Sequence, residues 1–217
     1  FTVVDQRHVH TVDSALSDAE LATFPTAYIT AENMLNRAAV AAGDTVLIPG
    51  ASGGVGSALI QLANRRGATT VAMCGDNKAD AVAAIGPAAV VPRSPENLKK
   101  ALRGAIGQDN VTVVADVVGG DLWPQMLDAV ARGGRYTCAG AIAGPMVDFD
   151  LRTFYLRDLT MTGATVVPPG TFADLVGYIE REEIKPLLAE TYPLKDLHAA
   201  QEAFISKSHV GNIVVIP

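Results

Sequence analysis

The chain has 217 residues, 49% of them apolar, enough to bury a full core in one large domain or in one domain plus an appendage. Its formal charge is −6, with 17 Lys and Arg against 23 Asp and Glu, which argues against a nucleic-acid surface built on clustered cations. No apolar run approaches the roughly 20 residues of a membrane span and no basic-then-apolar leader opens the chain, so it reads as soluble, with a small-molecule partner.

In chain order, FTVVDQRHVH at 1–10 reads as strand already in progress, which points to a fragment of a longer chain. His8-Val9-His10 would then set two imidazoles on one strand face, but two ligands without a third more often mark solvated histidines, and no metal site is assigned. Ser17 followed by Asp18 and Glu20 fits an N-cap with an acidic first turn. In 30-TAENMLNRAAVAAGD-44, Met34, Leu35, Ala38 and Ala39 recur at helical spacing and Gly43 closes the segment. A short strand follows at 45–48. Next comes 55-VGSALIQLANRR-66, a helix with cations in its last turn that stops at Gly67.

The alternation then repeats: strand 70–73, helix 78–85 stopped by Gly86-Pro87, strand 89–91, a helix opening at Ser94-Pro95-Glu96, strand 111–118, a helix capped by Asp121 and running to 131, and strand 134-GRYTCAGA-141. Continuous apolar strands alternating with helices imply a doubly wound α/β fold, a parallel sheet covered on both faces with right-handed crossovers. After Val167-Pro168-Pro169-Gly170 the pattern changes to helix 172–182, a short strand at 191–192, helix 195–206 and strand 213–216, a C-terminal α/β appendage. Cys74 and Cys138 both fall in strands, so buried free thiols are expected, as suits a reducing cytoplasm.

The stretch 49-PGASGGVGSALIQLANRRGA-68 admits two readings. Gly50 to Gly54 fit G-x-S-x-G, the turn that presents a nucleophilic serine, here Ser52. Ala51, Ser52, Gly53, Gly54, Val55 and Gly56 equally open a glycine-rich loop of the kind that wraps a dinucleotide pyrophosphate. A pyrophosphate needs backbone N–H donors brought close, and a helix N-terminus supplies both the donors and a favourable dipole. The loop follows the first strand of the repeated βα series, where Rossmann sheets bind dinucleotide, and its glycines continue past the serine. The downstream histidines, His198 and His209, fall in the appendage. These features favour the cofactor loop, with a serine hydrolase as an alternative.

The run GDTVLIPGASGGVGSALIQLANRRGA, then DVVGG at 116–120, 151-LRTFYLRDLTMTGATV-166 and the closing HVGNIVVIP resemble the medium-chain dehydrogenase/reductase superfamily, in its zinc-type alcohol dehydrogenase and quinone oxidoreductase branches. The resemblance covers nearly the whole chain. It implies that residues 1–30 are a remnant or linker from an N-terminal GroES-like catalytic domain, that 31–168 form an NAD(P)-binding Rossmann domain, and that 169–217 return toward the catalytic domain. It further implies an oxidoreductase acting on a carbonyl, alcohol, quinone or enone. The catalytic residues would lie largely in the N-terminal domain, and none is assigned. Where zinc-dependent relatives place a cysteine ligand before the helix that leads into the Rossmann domain, this chain has Thr26, so zinc is not expected. A module that binds NADP without turnover is the alternative function.

NAD-specific Rossmann domains end the second strand with an acidic residue on the ribose hydroxyls. Here that strand ends Met73-Cys74-Gly75, Asp76 comes late and Lys78 follows, a pattern that favours NADP, with NAD as the alternative. The other reading has Asp76 and Asn77 capping a helix and Lys78 solvated. Arg93 is a second candidate cation or an exposed loop charge. Because ligands sit at the carboxyl ends of the strands, Val118 and Gly119 after the fourth strand and Gly140, Ala141 and Ile142 after the fifth are expected to border the cofactor.

The resemblance adds Thr30 near the nicotinamide, Val166 and Val167 near its carboxamide, and Asn212 near the pyrophosphate, each of which could equally be core or turn. It also likens 158-DLTMTGATVV-167 to the family's final Rossmann strand, an edge that pairs with its twin, and so implies a homodimer. The alternative is a short edge in a monomer, solvated by Asp158, Thr160 and Thr162.

Overall fold

The computed structural model describes residues 3–217. Phe1 and Thr2 of the expected leading strand lie outside the described residues, and the remainder is not strand. Asp5 instead caps a 3-10 turn over Gln6–His8 by accepting from the Arg7 N–H, a local bond that competes with ladder formation. His8 and His10 therefore share no strand face, and the His10 ring stands edge-on to Phe172, 5.1 Å between centroids. Ser17 and Glu20 form the capping box of a short helix, α1 (Asp18–Leu21).

The helix expected from residue 30 begins earlier, as α2 (Phe24–Arg37). Pro25 suits its first turn, and Phe24, Ala27, Tyr28, Ala31, Met34 and Leu35 make one buried face. The βα series follows: β1 (Thr45–Pro49), α3 (Gly54–Arg65), β2 (Thr69–Cys74), α4 (Ala79–Ala83), β3 (Ala89–Pro92), α5 (Leu98–Ile106), β4 (Val111–Asp116), α6 (Trp123–Asp128), β5 (Val130–Cys138), α7 (Leu151–Tyr155) and β6 (Thr160–Gly163). All six strands run parallel in the order β3-β2-β1-β4-β5-β6, the doubly wound arrangement with its switch point between β1 and β4.

Alternate residues feed opposite cores. Val46, Ile48, Val113 and Ala115 pack toward α2 and α3, whereas Leu47, Val71, Met73, Val114 and Tyr136 pack toward α5 and α6.

Several boundaries differ from the sequence expectation. Asn97, not the Ser94-Pro95-Glu96 run, caps α5, because its side chain accepts the Lys100 N–H while Leu98 turns into the core. Asp121 lies inside a 3-10 turn (Gly120–Leu122) and caps nothing, and α6 ends at Asp128 because Val130 already pairs with Val111. Strand β6 is only four residues long, and past it Pro168 and Pro169 lack the N–H needed to extend a ladder. Asp150 starts the unanticipated α7 by accepting the Arg152 N–H.

Beyond the sheet come α8 (Thr171–Glu180), β7 (Leu188–Pro193), α9 (Leu197–Ser206) and β8 (Asn212–Ile216), with β7 and β8 paired in parallel. Several contacts tie the appendage down, two of them close to the glycine loop and helix α3. The buried Tyr28 hydroxyl donates to the Lys185 carbonyl at 2.6 Å and accepts from Gln61, and burial pushes its phenol well above the ordinary range. A parallel bridge joins Gly211 to Gly53, with the Gly211 N–H on the Ser52 carbonyl at 2.9 Å. Cys74 is buried and Cys138 half-buried, both as free thiols. Among the described residues, no helix is long and apolar enough to cross a membrane.

Candidate cofactor site

The loop from Gly50 to Gly53 connects the end of β1 to the start of α3 at the switch point. Gly50 has φ +67°, a conformation that side chains resist. A Cβ on Gly56 would overlap the Gly50 carbonyl oxygen, so the turn closes only with glycine there. The N–H groups of Gly54, Val55 and Gly56 belong to the first helical turn, where no intrahelical acceptor exists. Ser52 gives its carbonyl to Gly211, and among the described residues no histidine side chain bonds its hydroxyl. Ala51 is buried beneath the loop.

Two turns flank it. Val118 packs within 3.0 Å of where a Gly50 Cβ would stand, which sets the β4 turn against the glycine loop. The Asp116 carboxylate, fully buried, accepts from the Val118 N–H at 2.7 Å, from the Gly119 N–H at 3.1 Å and from the Tyr136 hydroxyl at 2.7 Å. Burial and the Asp116 charge and bond push the Tyr136 phenol far above its ordinary value. The β4 turn also holds the loop after β5, with Ala143 N–H on the Val118 carbonyl at 2.8 Å and Gly120 N–H on the Gly144 carbonyl at 3.0 Å. Gly140, Ala141 and Ile142 therefore border the same end of the sheet, Ile142 with its side chain exposed.

The remaining expected residues fall at the rim. Thr30 is half-buried on α2, its hydroxyl on the Thr26 carbonyl. Val166 and Val167 lie past β6, where Arg37 on α2 takes the Val166 carbonyl. Asn212 stands over the first turn of α3, its side-chain oxygen occupying the space a Cβ on Gly54 would need, while its Nδ2 is buried without a partner among the described residues. Asp76 begins a 3-10 turn (Asp76–Lys78) with no side-chain cap bond, so the capping role considered for it is not seen. Lys78 donates from Nζ to the His209 carbonyl at 2.9 Å.

Burial lowers the Lys78 pKa, and Arg93 and Lys207 push the same way against the opposing influence of Cys74. The His209 imidazole is lowered by burial and then by Lys78 and Lys207. Three cations thus gather beyond the end of β2. Lys207 was not evident from the sequence, because nothing in its local pattern separates it from a solvated helix-end lysine. The Asp116 role did have a signal, an acidic residue three before a glycine, which is the spacing of a side chain that folds back onto a turn. Among the described residues, no group of three or more His, Cys, Asp or Glu side chains comes together to hold a metal.

The sheet order and the glycine turn at its switch point define a Rossmann-type dinucleotide-fold domain. A family profile for zinc-binding dehydrogenases matches residues 54–181. A Sinorhizobium meliloti 1021 protein assigned to the alcohol dehydrogenases is 50% identical, with a TM-score of 0.93 over 96% of this chain and 58% of its own. The structure of 2-octenoyl-CoA carboxylase reductase CinF, in complex with NADP and 2-octenoyl-CoA, is 25% identical, with a TM-score of 0.87 over 94% of this chain and 50% of that one. Quinone oxidoreductase-like protein 2 of Bos taurus is 26% identical over 98% of this chain and 64% of its own length. The chain belongs to the zinc-binding dehydrogenase family. It spans half to just under two thirds of the length of these relatives.

Proposed function

We propose that this chain is the cofactor-binding part of an NADP(H)-dependent oxidoreductase that acts on a carbonyl, alcohol, quinone or activated alkene. The glycine loop at the switch point carries this reading, since only glycine closes it at Gly56 and it aims a helix N-terminus outward. A bound nicotinamide would supply hydride exchange with a substrate carbon. The N–H groups of Gly54, Val55 and Gly56 would donate to the pyrophosphate, and the unpartnered Nδ2 of Asn212 offers one more donor beside them. Lys78, Arg93 and Lys207 concentrate positive charge beyond β2, which supports a 2′-phosphate and hence NADP over NAD. The complex of CinF with NADP is in keeping with that choice.

Residues 31–168 would form the cofactor domain and 169–217 the return toward a catalytic domain that supplies the proton donor. A homodimer through the exposed edge of β6 and a reducing cytoplasmic setting complete the proposal, the first supported by the unpaired edge and the second by two free thiols. Titration with NADPH and NADH, read by nicotinamide fluorescence and by melting temperature, tests the cofactor assignment. No response in either readout, for either cofactor, overturns it.

A further inference from the structure

Asn33 sits on the buried side of α2, 1% exposed, and among the described residues its Oδ1 has no hydrogen-bond partner. Thr137 on β5 is 0% exposed, and its hydroxyl is also unpaired, as is the buried hydroxyl of Thr162 on β6. Thr137 and Thr162 are register partners on adjacent parallel strands, so their side chains leave the same face of the sheet.

That face belongs to α2. Tyr136 and Cys138 pack into the opposite core, whereas Arg135, two residues before Thr137, donates to the carbonyls of Ala38 and Ala39 just past the end of α2. Helix α2 leads through a short loop into the start of β1, so it runs antiparallel to the strands. Going back from Ala38 to Asn33 covers about 7.5 Å of helix axis, and going forward from Arg135 to Thr137 covers about 6.6 Å of strand. Asn33 therefore stands level with the two threonines, one helical turn beneath Thr30.

We infer that an ordered water molecule lies between α2 and the β5–β6 pair, bridging Asn33 Oδ1 and the hydroxyls of Thr137 and Thr162. A water fits these three groups without conflict, donating to the amide oxygen and to one hydroxyl while accepting from the other. The two hydroxyls do not bond each other. Leaving three buried polar groups dry costs more than immobilising one water. The water ties α2 to the sheet directly below the rim of the candidate cofactor site. It stands independently of the cofactor assignment, since both of its tests use the protein without cofactor.

A crystal structure that resolves ordered solvent should show one peak within hydrogen-bond reach of at least two of the three atoms. In parallel, Thr137→Val and Thr162→Val should each lower the melting temperature by a few degrees, and the double variant should fall by less than the sum, because both lose the same water. A dry pocket predicts the opposite sign, since valine would then remove an orphaned hydroxyl and hold or raise the melting temperature. That result, fully additive losses, or an empty position in the density overturns the inference.

Discussion

Lys78 reaches across to the chain's C-terminal segment, its Nζ 2.9 Å from the carbonyl of His209, so the lysine beyond β2 and the backbone before β8 are one unit. Lys78→Ala should weaken NADPH by about 1–3 kcal/mol, the range for losing a charged hydrogen bond, and NADH by much less. Isothermal titration with both cofactors measures the difference. Equal losses would mean that the lysine acts through the His209 carbonyl alone, not on a 2′-phosphate.

Gly56 and Gly54 should respond differently to alanine. At Gly56 the new methyl meets backbone, the Gly50 carbonyl, so Gly56→Ala is expected to cost about 1–3 kcal/mol and to abolish cofactor binding. At Gly54 it meets only the Asn212 side chain. Adding Asn212→Ala to Gly54→Ala should therefore restore most of the stability, read by chemical denaturation, with no such rescue for Gly56→Ala.

Alkaline stability should depend on two buried phenols. Tyr28 and Tyr136 both have raised pKa values, chiefly from burial, so the folded state keeps protons that the unfolded chain releases. Their contribution is complete below the unfolded value of about 10 and is lost as pH rises above it, by at most about 1.4 kcal/mol per pH unit for each group. Tyr136→Phe should flatten the fall in melting temperature above that pH, while costing about 1 kcal/mol at neutral pH for the bond to Asp116. An unchanged alkaline slope would show that the two phenols do not control it.

The dimer proposal is tested at the strand edge. Met161 is 37% exposed on β6, and Met161→Lys should convert a dimer to a monomer in light scattering without lowering the helix signal in circular dichroism. A wild-type monomer at every concentration tried removes the proposal.

The parallel sheet was legible because β1, β2 and β4 are buried on both faces and read as nearly unbroken apolar runs. The glycine loop was legible for a different reason, since backbone geometry forces the residue type. Boundaries failed where a side chain outside the periodic pattern decided the matter, as with Asn97 at α5 and Asp5 in the leading segment. Arg93 could be read as a second candidate cation beside Lys78, but the grouping of Lys207 with them could not, because no local pattern encodes which distant turn a lysine will face. Asn33 was hidden likewise, a polar residue in an otherwise regular helical stripe.

The bridge between Gly53 and Gly211 sets an order of events during synthesis. Strand β1 and helix α3 can form early from neighbouring sequence, but the glycine loop between them acquires its last backbone partner only when the segment leading into β8 has been made. A ribosome-bound chain that has exposed β1 to β6 would thus carry the sheet with its loop still unlatched, and binding competence would arrive with the closing residues.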